Sequence, residues 1–323
     1  CGACNGLDEY TYYLTPGQLA ETYASLKGEV VGVGIEDVAV EEGKLIIKAL
    51  LPGSAATKAG LQVGDRILRL DKKPVDNLTG DGALDRFRGE VGTTIDLEIL
   101  SPGYREPRLC TLTREAVQVK SVVGTDMLDP RMGIGYFQLV DFQESTVQEM
   151  DDAITSLQMQ GMKALILDLR GNPGGLFEVA IQIAERFLAE GIIVATQSPV
   201  HSQNKTYEAN NLEALDFPLV VLIDGDTASA AEVVAGALKE NRRATLVGQT
   251  TYGKGSIQCV VKLDTVPAGI RITLAKFFSP QGHPYNGCGV TPHIVVDRTS
   301  HGFDEAQRLM ALQEARQMLM MRH

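Results

Sequence analysis

A chain of 323 residues with 44% hydrophobic and 22% charged residues has a globular composition, long enough for two or three domains, and this excludes wholesale disorder. A net charge of −11 excludes a nucleic-acid binder, which requires a basic face. The longest apolar runs, such as Leu219–Ile223, fall far short of the roughly 18 residues of a transmembrane helix.

The first ten residues are polar and contain no apolar stretch of signal-peptide type. Cys1 and Cys4 form a CxxC, but no second pair exists to complete a zinc site, and Cys110, Cys259 and Cys288 are scattered. The five cysteines leave at least one thiol outside any intramolecular disulfide. An aromatic cluster, Tyr10, Tyr12 and Tyr13, precedes Thr15-Pro16, which reads as an N-cap and first helical residue. Residues 1–28 are therefore a lead segment expected to pack on the core.

Residues 29–115 form a small β-rich domain with glycine punctuation. Strands are predicted at Val30–Ile35, Leu45–Leu51, Arg66–Leu70, Thr94–Leu100 and Arg108–Thr113, with one short helix at Asp81–Phe87. Residues 116–323 alternate strand and helix. Thr146-x-x-Glu149 has the spacing of a capping box ahead of a helical stripe of Val147, Met150, Ile154 and Leu157. Ala164–Leu169 and Leu219–Ile223 read as buried strands. Leu176, Val179, Ala180, Ile183 and Phe187 make another stripe, closed by Gly191. Ala230–Glu240 is helical, Ile257–Leu263 pairs with Ile270–Phe277, and 303–320 forms a last amphipathic helix. Such alternation implies βαβ crossovers and a largely parallel core sheet.

Two strand-turn-helix junctions carry possible chemistry. Asp168-Leu169-Arg170-Gly171-Asn172-Pro173-Gly174-Gly175 lacks any GxGxxG or GKS/GKT nucleotide pattern. It is either a tight turn or a loop that presents backbone N–H groups to an anion. Asp224-Gly225-Asp226-Thr227-Ala228-Ser229 places a hydroxyl where a nucleophile elbow would. Ser229-x-x-Glu232 is also a capping box, which supports the plainer reading of Ser229 as an N-cap without excluding catalysis. Lys254 lies between two glycines and ahead of an apolar strand. There it is either an exposed loop lysine or, if buried, an amine of lowered pKa fit to act as a base. Gln258 could orient that amine. An extended 254–258 would hold the two up to ~13 Å apart at about 3.3 Å per residue, so the backbone must turn at Gly255 for them to meet. The five histidines, at 201, 283, 293, 301 and 323, offer no His-based triad, and a Ser/Lys dyad requires none.

Taken in order, these segments resemble a known family. Pro52-Gly53-Ser54-Ala55-Ala56 and Ala59-Gly60-Leu61-Gln62-Val63-Gly64-Asp65 look like a PDZ domain, with Gly32, Val33, Gly34 and Ile35 as its carboxylate-binding loop. Leu7–Pro16, Ile134-Gly135-Tyr136, Asp168–Gly175, Thr227–Glu232, Gly253–Gln258, Phe278–Gly282 and Gly289–Pro292 resemble the C-terminal processing (tail-specific) peptidases. The resemblance implies a crotonase-like α/β protease core of βαβ units (116–323) with an inserted β-rich PDZ domain (29–115). It implies Ser229 as nucleophile, Lys254 as general base, Gln258 as its support, and an oxyanion hole from Ala230 with Gly175 or Gly174. Arg88 stands where an arginine of the family couples tail binding to activity. No cofactor or metal is implied. The implied partners are protein or peptide substrates with an apolar C-terminus, with an adaptor or a second copy as further possibilities. The implied compartment is an exported one, periplasm, cell envelope or thylakoid lumen. Thr-Ala-Ser-Ala-Ala-Glu departs from the usual Ser-Ala-Ser-Ala-Ser-Glu but keeps its nucleophile serine, and Glu9 stands where proline is common. The alternative is a non-enzymatic PDZ scaffold on a degenerate hydrolase fold.

Overall fold

The structure is a computed structural model that describes residues 8–41, 43–76, 78–200, 204–296 and 302–322. Cys1, Cys4, His201, His301 and His323 lie outside the described residues. The chain divides into two compact units, Cys1–Tyr13 with Lys120–His323, and Leu14–Val119.

The larger unit is built on a six-stranded sheet in the order Val122–Asp129, Ile134–Leu139, Ala164–Asp168, Leu219–Ile223, Thr245–Gly248 and Ile294–Val295. The first pair is antiparallel and all later pairs are parallel. Leu165, Leu167, Leu219 and Val221 pack on one face against the helices Thr146–Met159, Phe177–Phe187 and Ala230–Glu240. Ala164, Ile166, Val220 and Leu222 pack on the other against Ala311, Ala315 and Leu319 of the helix Phe303–Met321. Both faces are covered, which is why the two central strands are buried at every position and apolar throughout except at Asp168, instead of alternating. A second sheet joins Tyr12–Leu14, Gly269–Phe278, Glu190–Gln197 and Lys205–Asn210, with Ser256–Lys262 antiparallel to Gly269–Phe278 as expected.

Three local expectations change. The Thr146/Glu149 capping box does not form, because the helix starts one residue early with Ser145 in the cap position and an αR backbone. Glu149 instead accepts from the Ser121 and Val122 N–H groups at 2.8 and 3.0 Å, amides that the irregular start of the neighbouring strand leaves open. The helix Phe177–Phe187 ends before Gly191, which lies inside the strand Glu190–Gln197. The single strand predicted at Val30–Ile35 is two, Glu29–Gly32 and Ile35–Glu41, broken at Val33-Gly34.

The last helix is fastened to the sheet by a buried ion pair. Arg170 Nη2 meets Asp168 Oδ2 at 2.6 Å, and the Tyr136 hydroxyl donates to the same oxygen at 2.9 Å. Arg170 Nη1 reaches the Asp304 carbonyl and Gln307 Oε1, both at 3.0 Å. Asp168 is 0% exposed, so removing the arginine strands a buried carboxylate. Arg170→Ala is expected to cost about 3 kcal/mol, read as a lower urea midpoint at constant m-value.

The smaller unit holds the sheet Ile35–Glu41, Lys44–Leu50, Arg66–Leu70, Thr94–Leu100, Arg108–Thr113, around a core that includes Leu45, Ile47, Ile67, Leu97 and Phe87. Thr15 and Gln18 form the capping box of the helix Pro16–Leu26, with proline at its first turn as predicted. The predicted short helix is present as Gly80–Phe87.

Candidate active site

Two strand-turn-helix junctions at the C-terminal ends of adjacent parallel strands are stitched together. The Thr227 hydroxyl donates to the Leu169 carbonyl at 2.9 Å, and Ala228 N–H donates to the Asn172 carbonyl at 2.9 Å. These bonds hold Ser229 beside the glycine loop. Ser229 has φ 55° and ψ −117°, whereas an ordinary N-cap residue has an extended backbone. A positive φ at a non-glycine residue costs on the order of 1–3 kcal/mol and persists only where the surroundings enforce it. The capping role alone does not call for that geometry.

The enforcing group is Glu232, in the first turn of the helix Ala230–Glu240 and 0% exposed. Its Oε2 accepts from the N–H of Ser229 and from the N–H of Lys254, each at 2.8 Å. Its Oε1 accepts from Gly253 N–H at 2.7 Å and from the Thr251 hydroxyl at 2.5 Å. One side chain thus ties the backbone of the serine turn to the backbone of the lysine loop. The Ser-x-x-Glu spacing reveals the first of these bonds. The other three come from residues remote in sequence, and no sequence signal announces them.

The glycine loop is shaped by Asn172, which is 0% exposed. Its Nδ2 donates to the Leu139 carbonyl at 2.7 Å, and its Oδ1 accepts from Gly174 N–H at 2.8 Å. Gly174 has φ +108°, and a Cβ there would lie 2.8 Å from Ser229 Cβ and 3.0 Å from Ala230 N. Only glycine permits that approach. The Gly174 carbonyl accepts from Phe142 N–H at 2.9 Å, and Leu176 N–H donates to the Phe142 carbonyl at 2.7 Å. Among the described residues, the amides of Gly175 and Ala230 make no hydrogen bond, while the Gly174 amide is committed to Asn172.

Lys254 is half-buried. Burial and the nearby Arg271 guanidinium pull its amine below the usual lysine value, against the opposite pull of Glu232. No hydrogen bond joins Gln258 to Lys254. Gln258 Nε2 donates to Ser256 Oγ at 2.7 Å, and a bulge between Ile257 and Gln258 interrupts the strand there. The two described histidines are engaged elsewhere, His283 with Glu240 at 3.2 Å and His293 with Leu246 N–H at 2.9 Å.

In the smaller unit, Ile35–Glu41 is an edge strand with the helix Gly80–Phe87 packed beside it. Gly32, Val33, Gly34, Ile35, Leu84, Phe87 and Arg88 line part of a cavity of about 150 Å³ at its start. Gly34 has φ +85° with Ser54 packed against its Cα, so the loop requires glycine. Val33 N–H donates to the Phe87 carbonyl at 3.3 Å, and Gly32 bridges Arg88. The Gly34 amide makes no hydrogen bond among the described residues.

Comparison with known proteins places these features in context. Residues 133–296 match peptidase family S41, and residues 23–100 match the PDZ domain. A carboxyl-terminal-processing protease of Synechocystis sp. is 41% identical over 302 residues, covering 93% of this chain and 70% of the relative. The carboxyl-terminal-processing peptidase 2, chloroplastic, of Arabidopsis thaliana is 35% identical over 311 residues, covering 93% of this chain and 60% of the relative. The solved structure of a photosystem II D1 C-terminal processing protease is 32% identical, superposes with a TM-score of 0.55, and is matched over 90% of this chain and 78% of its own.

Proposed function

The chain belongs to peptidase family S41 and is a serine-type C-terminal-processing endopeptidase with a PDZ domain, and from that premise we propose that Ser229 is its nucleophile and Lys254 its general base. The observation that carries this is the Glu232 carboxyl, which fastens the Ser229 and Lys254 amides to one buried oxygen. The lowered amine supports the role of base, because a neutral lysine is needed to accept a proton.

Lys254 Nζ takes the proton from Ser229 Oγ as Oγ bonds to the scissile carbonyl carbon. The carbonyl oxygen, now negative, receives the free N–H groups of Gly175 and Ala230, of which the former is favoured over Gly174 because the Gly174 amide is already spent. The C–N bond then breaks and the leaving amine takes the proton from Lys254. Water, deprotonated in turn by Lys254, then bonds to the acyl carbon, and as the C–Oγ bond breaks Lys254 returns that proton to Ser229 Oγ. Gln258 is assigned to support of this loop through Ser256.

Substrate selection is assigned to the PDZ groove. A C-terminal tail adds as a strand to the edge Ile35–Glu41, with its carboxylate on the open Gly34 amide and its last side chain in the apolar cavity. The Arg88 side chain makes no hydrogen bond or ion pair among the described residues, so it is available to sense the tail. The compartment proposed is an exported or plastid one, supported by the family resemblance and by a relative named chloroplastic.

The test is an unstructured protein ending in an apolar tail, incubated with wild type, Ser229→Ala and Arg88→Ala. Wild type should cleave it, and should lose on the order of tenfold in kcat/KM when the tail is amidated. Arg88→Ala should bind the tail yet lose the activation. Cleavage by Ser229→Ala at the wild-type rate would sink the dyad, and indifference to the tail would sink the assignment of the groove.

A further inference from the structure

The lead segment ahead of the strand Tyr12–Leu14 has a built shape. Asp8 Oδ1 accepts from Tyr10 N–H at 2.8 Å, and its Oδ2 accepts from the Thr11 hydroxyl at 3.1 Å. Thr11 Oγ1 in turn accepts from Thr273 N–H at 3.3 Å, on the strand that pairs with the one following Lys254. This turn aims the Tyr10 ring at the lysine, whose Nζ stands 5.3 Å from the ring centroid. Two residues on, Tyr12 does the same for Arg271, with the guanidinium carbon 5.9 Å from its ring and Nη1 donating to its hydroxyl at 3.1 Å. One short segment therefore meets both cations of the site with aromatic faces.

We propose that Tyr10 is a positioning residue of the dyad, whose ring face holds the Lys254 ammonium that forms when the lysine takes the proton of Ser229. The inference rests on the Ser229/Lys254 reading. In the acylation step the Oγ–H bond of Ser229 breaks, an N–H bond forms at Nζ, and the Oγ–C bond forms. A neutral amine becomes an ammonium as the oxyanion appears. A ring face attracts a cation and is nearly indifferent to a neutral amine, so Tyr10 acts more strongly in the transition state than before it. Both act in a half-buried setting where such attraction is less screened than in water.

The other groups facing Lys254 are Arg271, which repels the ammonium, and Glu232, which attracts it. Around Tyr10 stand Asp8, Glu9 and Tyr252. Burial, then Glu9, pushes its hydroxyl up to about 12, so the phenol stays neutral at working pH and the ring acts through its face. The ring favours the protonated lysine. Removing it therefore moves the acid limb of the pH–rate profile to lower pH, while the plateau falls because the ammonium of the transition state loses its support.

The experiment is the pH dependence of kcat and kcat/KM for wild type, Tyr10→Leu, Tyr10→Phe and Tyr10→Trp, with Ser229→Ala and Lys254→Ala as controls. Tyr10→Leu should lower plateau kcat about three- to fivefold at unchanged KM and shift the acid limb down by about half a pH unit. Tyr10→Phe should recover most of both losses, since it restores the ring face. Tyr10→Trp should move the limb upward, and it carries the test alone if the leucine variant does not fold. A leucine variant that is slower with an unmoved limb, a phenylalanine variant as impaired as leucine, or a tryptophan limb that stays or falls would each overturn the inference. Wild-type turnover in Ser229→Ala or Lys254→Ala would overturn the dyad instead.

Discussion

Lys254→Ala is expected to lower kcat/KM by on the order of 10⁴-fold or more, and Ser229→Ala by a similar factor. The double variant should be no slower than either alone. In the proposed mechanism nucleophile and base act in one step, so their losses do not add, and what remains would come from the amides of Gly175 and Ala230 and from substrate binding. The pH dependence has a definite sign. Catalysis requires the neutral amine, so kcat/KM rises with pH through the lysine's titration. Burial and Arg271 lower that titration, so the rise falls below the range of an ordinary lysine and a larger neutral fraction is present at physiological pH. A profile that stayed flat in wild type across this limb, or a double variant many-fold slower than the singles, would contradict a lysine base.

Glu232→Ala should damage stability and chemistry together. The substitution leaves three backbone amides and the Thr251 hydroxyl without the acceptor that the fully buried Glu232 supplies. Each stranded donor costs about 1–3 kcal/mol, and partial relaxation brings the expected net loss to about 4 kcal/mol. Ser229 would also be released from its positive φ. A kcat loss on the order of 10²–10³-fold is therefore expected, because an ångström of misplacement in the nucleophile has that scale of effect. Glu232→Gln keeps the volume but turns a donor toward two of the four N–H and O–H groups, so it should fall between alanine and wild type. The urea midpoint and single-turnover rates check both effects, and tail affinity, measured by calorimetry, should not move. An alanine variant with the wild-type midpoint would show that the four bonds contribute nothing net.

Much of the candidate site was legible because it is local. A buried apolar strand followed by glycines or a serine and then a helix is a short-range pattern, and it located Gly174, Gly175, Ser229 and Ala230. The scarcity of usable histidines was visible in the same way. What failed was local too, where a competing partner won. Ser145 takes the cap position while the Thr146 hydroxyl accepts from Gln143 N–H and Glu149 accepts from the Ser121 and Val122 amides. The strand expected at Val30–Ile35 broke because Gly34 turns with a positive φ against Ser54.

The residues alone determined a β-rich stretch followed by an alternating one, the main helices, the two most apolar strands and the groups able to do chemistry, since hydrophobic period and turn chemistry are properties of neighbouring positions; strands such as Ile134–Leu139 and Thr245–Gly248 were not read from the sequence. Only the tertiary structure decided which groups work together. Asn172, held by the Leu139 carbonyl, spends the Gly174 amide and leaves that of Gly175 open. Glu232 joins two loops that sequence spacing leaves unrelated, and the fold of the lead segment brings Tyr10 to Lys254. Hydrogen bonds and ring contacts between distant segments depend on where the backbone returns in space, and that is set by the packing of the whole sheet, not by any window of residues.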